Sequence, residues 1–200
     1  MKIIGICGSS GSGKSTVSNF FRESGFPVLD CDEIYHALVE APSLCLDEIG
    51  ENFGADLIQN GRLDRVKLGS IVFQDPDKLK RLNEISHRHV ISELEKKISG
   101  FKQQNLEACF IDAPMLFEAG LDQSCDLVIA VVCDKSKQIE RICARDGIDE
   151  ACAEKRLANQ KKPDELMAMA DYVLTNNGTK QELIQQCEWL KKTIFFEKGE

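Results

Sequence analysis

Two hundred residues suffice for one domain with a real core and perhaps a small inserted subdomain, but not for a multidomain fusion. With 42% hydrophobic and 29% charged residues, the composition is that of an ordinary folded globule and excludes a disordered chain. A formal charge of −8 argues against sequence-independent nucleic-acid binding, so an anionic ligand must be met by local positive groups.

The first apolar segment, Ile3-Ile4-Gly5-Ile6-Cys7, suits a short buried parallel strand. It is too short for the apolar region of a signal peptide, and no stretch reaches membrane-spanning length. The expectation is a cytosolic protein with no membrane partner. Gly8-Ser9-Ser10-Gly11-Ser12-Gly13-Lys14-Ser15 follows, then Thr16, fitting G-x-x-x-x-G-K-[ST] between a strand and a predicted helix. Glycines let several backbone N–H groups point into one concavity, and the positive end of the next helix faces the same point. The N–H groups of Gly11, Ser12, Gly13, Lys14, Ser15 and Thr16 are the expected phosphate cradle of a P-loop. Lys14 is placed to reach the β- and γ-phosphates, and Ser15 to hold Mg²⁺.

Pro27-Val28-Leu29-Asp30 is the next strand, and Asp30-Cys31-Asp32-Glu33 opens a helix carrying Ile34, Leu38 and Val39. Pro42 interrupts it, a second helix runs toward Phe53-Gly54, and Asn60-Gly61 marks a turn. Helix resumes from Asp64 with Leu68, Ile71 and Val72 on one face. After Asp75-Pro76 a longer helix carries Leu79, Leu82, Ile85, Ile91, Leu94 and Ile98 and is expected to end at Gly100. Ala108 to Asp112 is a strand ending in an acid, and Leu127 to Val132 is the clearest buried strand. A helix from about Lys135 puts Ile139, Ile142 and Cys143 inward and Arg141 and Arg145 on the other face. Tyr172-Val173-Leu174 is a last strand. Thr179-Lys180-Gln181-Glu182 is a capping box opening a helix with Leu183, Cys187, Leu190 and Ile194 inward.

Alternating strands and helices indicate an α/β fold, a doubly wound parallel sheet of about five strands with ligands at the strand carboxyl ends. Residues about 36–105 break the alternation and read as an all-helical insertion over the acceptor. Nine cysteines are an odd count with no C-x-x-C pair, so they read as small hydrophobes. Three histidines make a structural metal site a poor expectation. Several acids and bases have two readings at this level. Asp32 fits a helix N-cap or a catalytic acid, while Asp64 reads as an N-cap and Arg65 as a surface residue. Asp112 fits a strand-end turn or an acid near Mg²⁺. Arg141 and Arg145 fit a solvated helix face, and His87 and His89 packed helix residues.

Segments along nearly the whole chain resemble the dephospho-CoA kinase family. They are Val28-Leu29-Asp30-Cys31-Asp32 with His36; Gly61-Arg62-Leu63-Asp64-Arg65; Ile85-Ser86-His87; Asp112-Ala113-Pro114-Met115-Leu116-Phe117-Glu118; Arg141 with Arg145-Asp146; Arg156 with Gln160; and Ala170-Asp171-Tyr172-Val173 with Asn176 and Gly178. Arg88 stands where the family usually has proline, and Met115 where it often has leucine. The resemblance implies transfer of the γ-phosphoryl of ATP to the ribose 3′-hydroxyl of dephospho-CoA, with Mg²⁺ as cofactor. It implies Asp32 as the group that accepts the hydroxyl proton, Arg141 at the start of a lid at about 141–163 as a catalytic residue reaching over the transferred group, and Asn176 against the adenine. It also implies Asp64, Arg65, His87 and Asp112 as substrate contacts. The positive charge of Arg141, Arg145, Arg156, Lys161 and Lys162 is expected to keep that lid open until phosphates lie beneath it. Two rivals share the cradle: a kinase acting on a nucleoside monophosphate, and an ATP-binding regulatory module. The absence of Asn-Lys-x-Asp counts against a GTPase.

Overall fold

A computed structural model describes residues 1–196. The described chain forms two compact units, one of Met1–Val28 with the chain from Glu107 onward, the other Leu29–Leu106. Strand β1 (Lys2–Cys7) is fully buried from Ile4 to Cys7. The glycine-rich turn leads into α1 (Lys14–Glu23), which turns Val17, Ser18 and Phe21 inward. Gly25, at φ +89°, ends that helix, with Phe26 N donating to Phe21 O at 3.1 Å. The chain passes from one unit to the other within β2 (Val28–Asp30), upstream of the residue 36 expected from the sequence.

The second unit begins with α2 (Cys31–Val39) and α3 (Leu44–Phe53), the latter capped by Ser43. It is not all helical. Asn60 (φ 52°) and Gly61 (φ 74°) are both left-handed, as a type I′ turn requires, and close a hairpin of β3 (Ile58–Gln59) and β4 (Arg62–Leu63). Asp64 then caps α4 (Arg65–Val72), its carboxylate accepting from Lys67 N at 3.0 Å. Asp75 and Pro76 open α5 (Pro76–Gln103), which packs against α2, α3 and α4. Gly100 does not end α5. Its position faces open space, where a helical glycine costs only about 1 kcal/mol. Val90, and not Ile91, is the fully buried residue of the middle turns. Val39, Leu46, Ile49, Leu57, Leu68 and Ile85 are central to this unit's core.

Back in the first unit, β5 (Ala108–Asp112) is buried throughout and β6 (Leu127–Val132) nearly so. Helices α6 (Lys135–Asp146), α7 (Glu150–Ala158) and α8 (Pro163–Met169) precede β7 (Tyr172–Thr175). Helix α9 (Lys180–Phe195) opens on the expected Thr179–Glu182 capping box. The strands order as β2-β5-β1-β6-β7 in one parallel sheet. Strand β1 is central, so the turn after Cys7 emerges at the middle of the carboxyl edge. Helices α1 and α9 cover one face, sealing Ile4, Ile6, Phe21, Phe110, Val131 and Leu190. The Phe21 and Phe110 rings stack at 4.1 Å, and truncating a buried ring of this kind costs about 3–5 kcal/mol. No helix among the described residues is long and apolar enough to cross a membrane.

Candidate active site

The turn after β1 has the shape that its glycines anticipate. A Cβ on Gly8 would come within 2.6 Å of Val131 O, and one on Gly13 (φ 98°) would run into the Asn176 amide. Gly13 is also the N-cap of α1 and has no side chain with which to cap it. Of the first-turn amides of α1, Thr16 N turns back to Gly13 O at 2.9 Å, while those of Lys14 and Ser15 stand at the positive end of the helix with no side-chain cap. Ser15 is exposed on this turn and Thr16 half-buried. The Ser12 hydroxyl is fully buried and is the one buried side-chain polar atom among the described residues that lacks a hydrogen-bond partner.

Four consecutive loop residues are each held by a side chain from elsewhere in the same unit. Gln138 on α6 donates to Ser9 Oγ at 2.6 Å. Gln160, just after α7, accepts from Ser10 N at 2.8 Å and donates to Ser10 Oγ at 3.1 Å. Arg141 donates to Gly11 O at 3.2 Å, and Asn176 donates to Ser12 O at 2.8 Å. Arg141 also donates to Asn176 O at 3.0 Å, which ties two of the braces together. Arg141 is thus half-buried against the loop in place of the solvated face suggested by its spacing. Asn176, expected beside the adenine, is buried with its amide on the loop backbone. Gln138 has no place in the sequence reading, which turned Ile139 inward. Its signal was a position four before Ile142, on the buried face.

Lys14 Nζ is ion-paired with Asp112, whose other carboxylate oxygen accepts from Ser18 Oγ. The parallel register sets Ile6 opposite Asp112, bringing the strand-end acid beside the loop. Asp112 is 2% exposed, and Lys14 holds the only positive charge on it among the described residues. Burial pushes the neighbouring Cys7 thiol up to about 12, so it stays protonated at neutral pH.

Part of the positive charge of the lid segment is met by carboxylates. Asp146 accepts from Arg145 Nε and Nη2 at 2.6 and 2.9 Å, and also from Arg156. Hydrogen bonds from Arg145 first, and also from Arg156, hold the Asp146 carboxyl well below the usual carboxylate range. Lys135 pairs with Glu154 at 2.7 Å, and Lys161 stands 4.0 Å from Glu118. Between α6, α7, α8 and the carboxyl ends of β6 and β7 lies a cavity of about 650 Å³. Ser9, Cys133, Lys135, Leu157, Lys161 and Met167 are among its walls.

In the second unit, Asp30 and not Asp32 caps α2. Its carboxylate accepts from Asp32 N and Glu33 N at 2.9 and 3.1 Å. Asp32 is exposed on the first turn, relieved of the capping role that its position also allowed. Asp64 caps α4, and Arg65 lies against the His36 ring at 3.1 and 3.2 Å. His87 is half-buried on α5. His89 contacts Glu48 at 2.9 Å, and Arg88 reaches the same carboxylate. Helix α5 runs unbroken through Arg88. Among the described residues no cluster of three or more His, Cys, Asp or Glu side chains could hold a metal ion.

A family model described as dephospho-CoA kinase matches residues 2–182. A Fusobacterium nucleatum dephospho-CoA kinase is 38% identical over 96% of this chain and 98% of its own length. One from Bacillus cereus is 37% identical over 95% of this chain and 96% of its own. Among solved structures, a dephospho-CoA kinase from Campylobacter jejuni superposes with a TM-score of 0.72 at 26% identity, covering 96% of each chain. A shikimate kinase from Acinetobacter baumannii, at TM-score 0.55 and 17% identity over 98% of this chain and 96% of its own, shares the fold alone.

Proposed function

Since this chain belongs to the dephospho-CoA kinase family, we propose that it moves the γ-phosphoryl of ATP onto the ribose 3′-hydroxyl of dephospho-CoA, giving CoA and ADP. The observation that carries this reading is the braced P-loop at the N-terminus of α1, which no side chain caps, with Lys14 in its first turn. Transfer of this kind rests on positioning and charge neutralisation more than on covalent chemistry.

Backbone N–H groups of Gly11 to Thr16 hold the phosphates, and Lys14 exchanges the Asp112 carboxylate for the β- and γ-phosphoryl oxygens. The donors around them fit a hard cation that arrives with its nucleotide: the Ser15 hydroxyl, the Asp112 carboxylate and phosphate oxygens. Bound Mg²⁺ would neutralise charge developing on the transferred group. Asp32 orients the acceptor hydroxyl and takes its proton, from the first turn of a helix that Asp30 caps. Arg141 and Asn176 keep the loop in its phosphate-receiving shape, while Asp64, Arg65 and His87 serve the acceptor. The same reading puts the reaction in the cytosol, in keeping with nine cysteines that are all thiols.

Mass spectrometry of dephospho-CoA incubated with the protein, ATP and Mg²⁺ tests the assignment. One added phosphoryl group on the 3′-oxygen is expected. Phosphorylation of nucleoside monophosphates instead, or ADP release indifferent to any acceptor, would overturn it.

A further inference from the structure

Helix α6 and the turn after α7 each touch the P-loop, and each contact has an arginine four residues from it. On α6, Arg141 meets Gly11 O and Arg145 lies one turn further out. On the α7 side, Gln160 meets Ser10 and Arg156 lies four residues back. Asp146 joins these two arginines, one by a fork of two hydrogen bonds and the other by a single bond. The guanidinium pair therefore belongs to the two segments that brace the loop, with a carboxylate already seated in it. Arg145 and Arg156 are 61% and 41% exposed, so another anion can reach them without unfolding either helix.

We propose that Asp146 is an internal counter-anion, occupying the Arg145–Arg156 pair until a phosphoryl group held by the P-loop displaces it. This rests on the reading of the P-loop as the phosphate site. A carboxylate and a phosphoryl oxygen compete for the same planar fork of donors. An ion that meets only the arginines gains little, because it must break two existing contacts. A triphosphate anchored at residues 11–16 presents its oxygens at high local concentration and wins the exchange. Asp146 thus acts as a specificity residue: it discounts free phosphate and reserves the lid arginines for an anchored nucleotide.

The test is titration calorimetry with inorganic tripolyphosphate, without metal, on the intact chain. Asp146→Asn should bind tripolyphosphate about threefold or more tighter than the parent, the range expected when an exposed pair stops competing. Asp146→Glu keeps the charge and should return to parental affinity. The gain should shrink as salt is raised. A merely structural role for Asp146 predicts equal or weaker binding in Asp146→Asn, and that result would overturn the proposal. Arg156→Ala in the parent separates the two levels of inference. If it leaves tripolyphosphate binding unchanged, the lid arginines do not meet phosphate and the proposal falls with that reading. If it weakens binding while Asp146→Asn brings no gain, only the role of Asp146 falls. Circular-dichroism melts confirm that each variant is folded before it is titrated.

Discussion

Gln160 and Ser10 form a closed pair of hydrogen bonds across 150 residues of sequence, one donated by the loop amide and one by the glutamine amide. The end of α7 and the P-loop are thereby one mechanical piece. Gln160→Ala should raise the KM for ATP several-fold while kcat falls less, because it loosens the cradle without touching the reacting atoms. A half-buried pair of this kind contributes about 1–2 kcal/mol, so the melting point should drop only a few degrees. Steady-state kinetics beside a thermal melt checks both. An unchanged KM would mean that the pair is incidental to nucleotide binding.

Lys14→Ala should lower turnover about a hundredfold or more, the usual loss when one electrostatic contact to the transferred group is removed. The ion pair adds a second consequence. Without Lys14 the buried Asp112 loses its counter-charge, so the variant should also be less stable, by about 1–3 kcal/mol. Adding Asp112→Asn should restore stability and leave turnover low. Turnover near the parent in a folded Lys14→Ala protein would sink the P-loop assignment.

Asp30 and Asp32 should separate cleanly. Asp30→Ala removes the cap of α2 and should cost about 1 kcal/mol. Asp32→Asn removes no cap, so its stability should stay within about 1 kcal/mol of the parent. Its turnover with dephospho-CoA should fall about a hundredfold or more if the carboxylate is the general base. ATP affinity should be unchanged by equilibrium dialysis. A stable, ATP-binding and fully active Asp32→Asn protein would move the search for a base to Asp112.

Alkaline stability should carry the signature of buried thiols. Burial raises Cys187 from 9.0 to about 12, and Glu188 adds to the shift. The folded state therefore keeps this proton above pH 9 while the unfolded chain releases it, so stability falls as pH rises from about 9 toward 12. Each such thiol contributes a slope of at most about 1.4 kcal/mol per pH unit. Cys187→Ala should flatten the curve of denaturant midpoint against pH between 9 and 11, after allowance for its lower overall stability. An identical slope in both proteins counts against the shift.

What could be read from the sequence was local in origin. Strand, glycine turn and helix at residues 3–22, the unbroken apolar run 127–132 and the Thr179 capping box each announce themselves within a dozen residues. The hairpin at 58–63 escaped because two-residue strands carry no periodicity, although Asn60-Gly61 was visible as its turn. Asp30 and Asp32 both suited a cap, and spacing alone does not settle a helix boundary to two residues. The braces on the loop were harder still. Gln138 reaches the Ser9 hydroxyl and Asn176 the Ser12 carbonyl, each more than a hundred positions away, through the packing of α6 and the order of β6 and β7. The pairing of Asp146 with two arginines likewise depends on where α6 and α7 meet, so a count of like charges overstated the repulsion.

The four braces also impose an order on synthesis. The P-loop leaves the ribosome first, but its supports follow 129, 150, 130 and 164 residues later, on Gln138, Gln160, Arg141 and Asn176. A nascent chain carries the whole phosphate-binding motif for most of its translation while lacking the parts that shape it. Contacts of such long range also close slowly. The full set of braces exists only once Asn176 has been made, 164 residues after the Ser12 carbonyl that it holds.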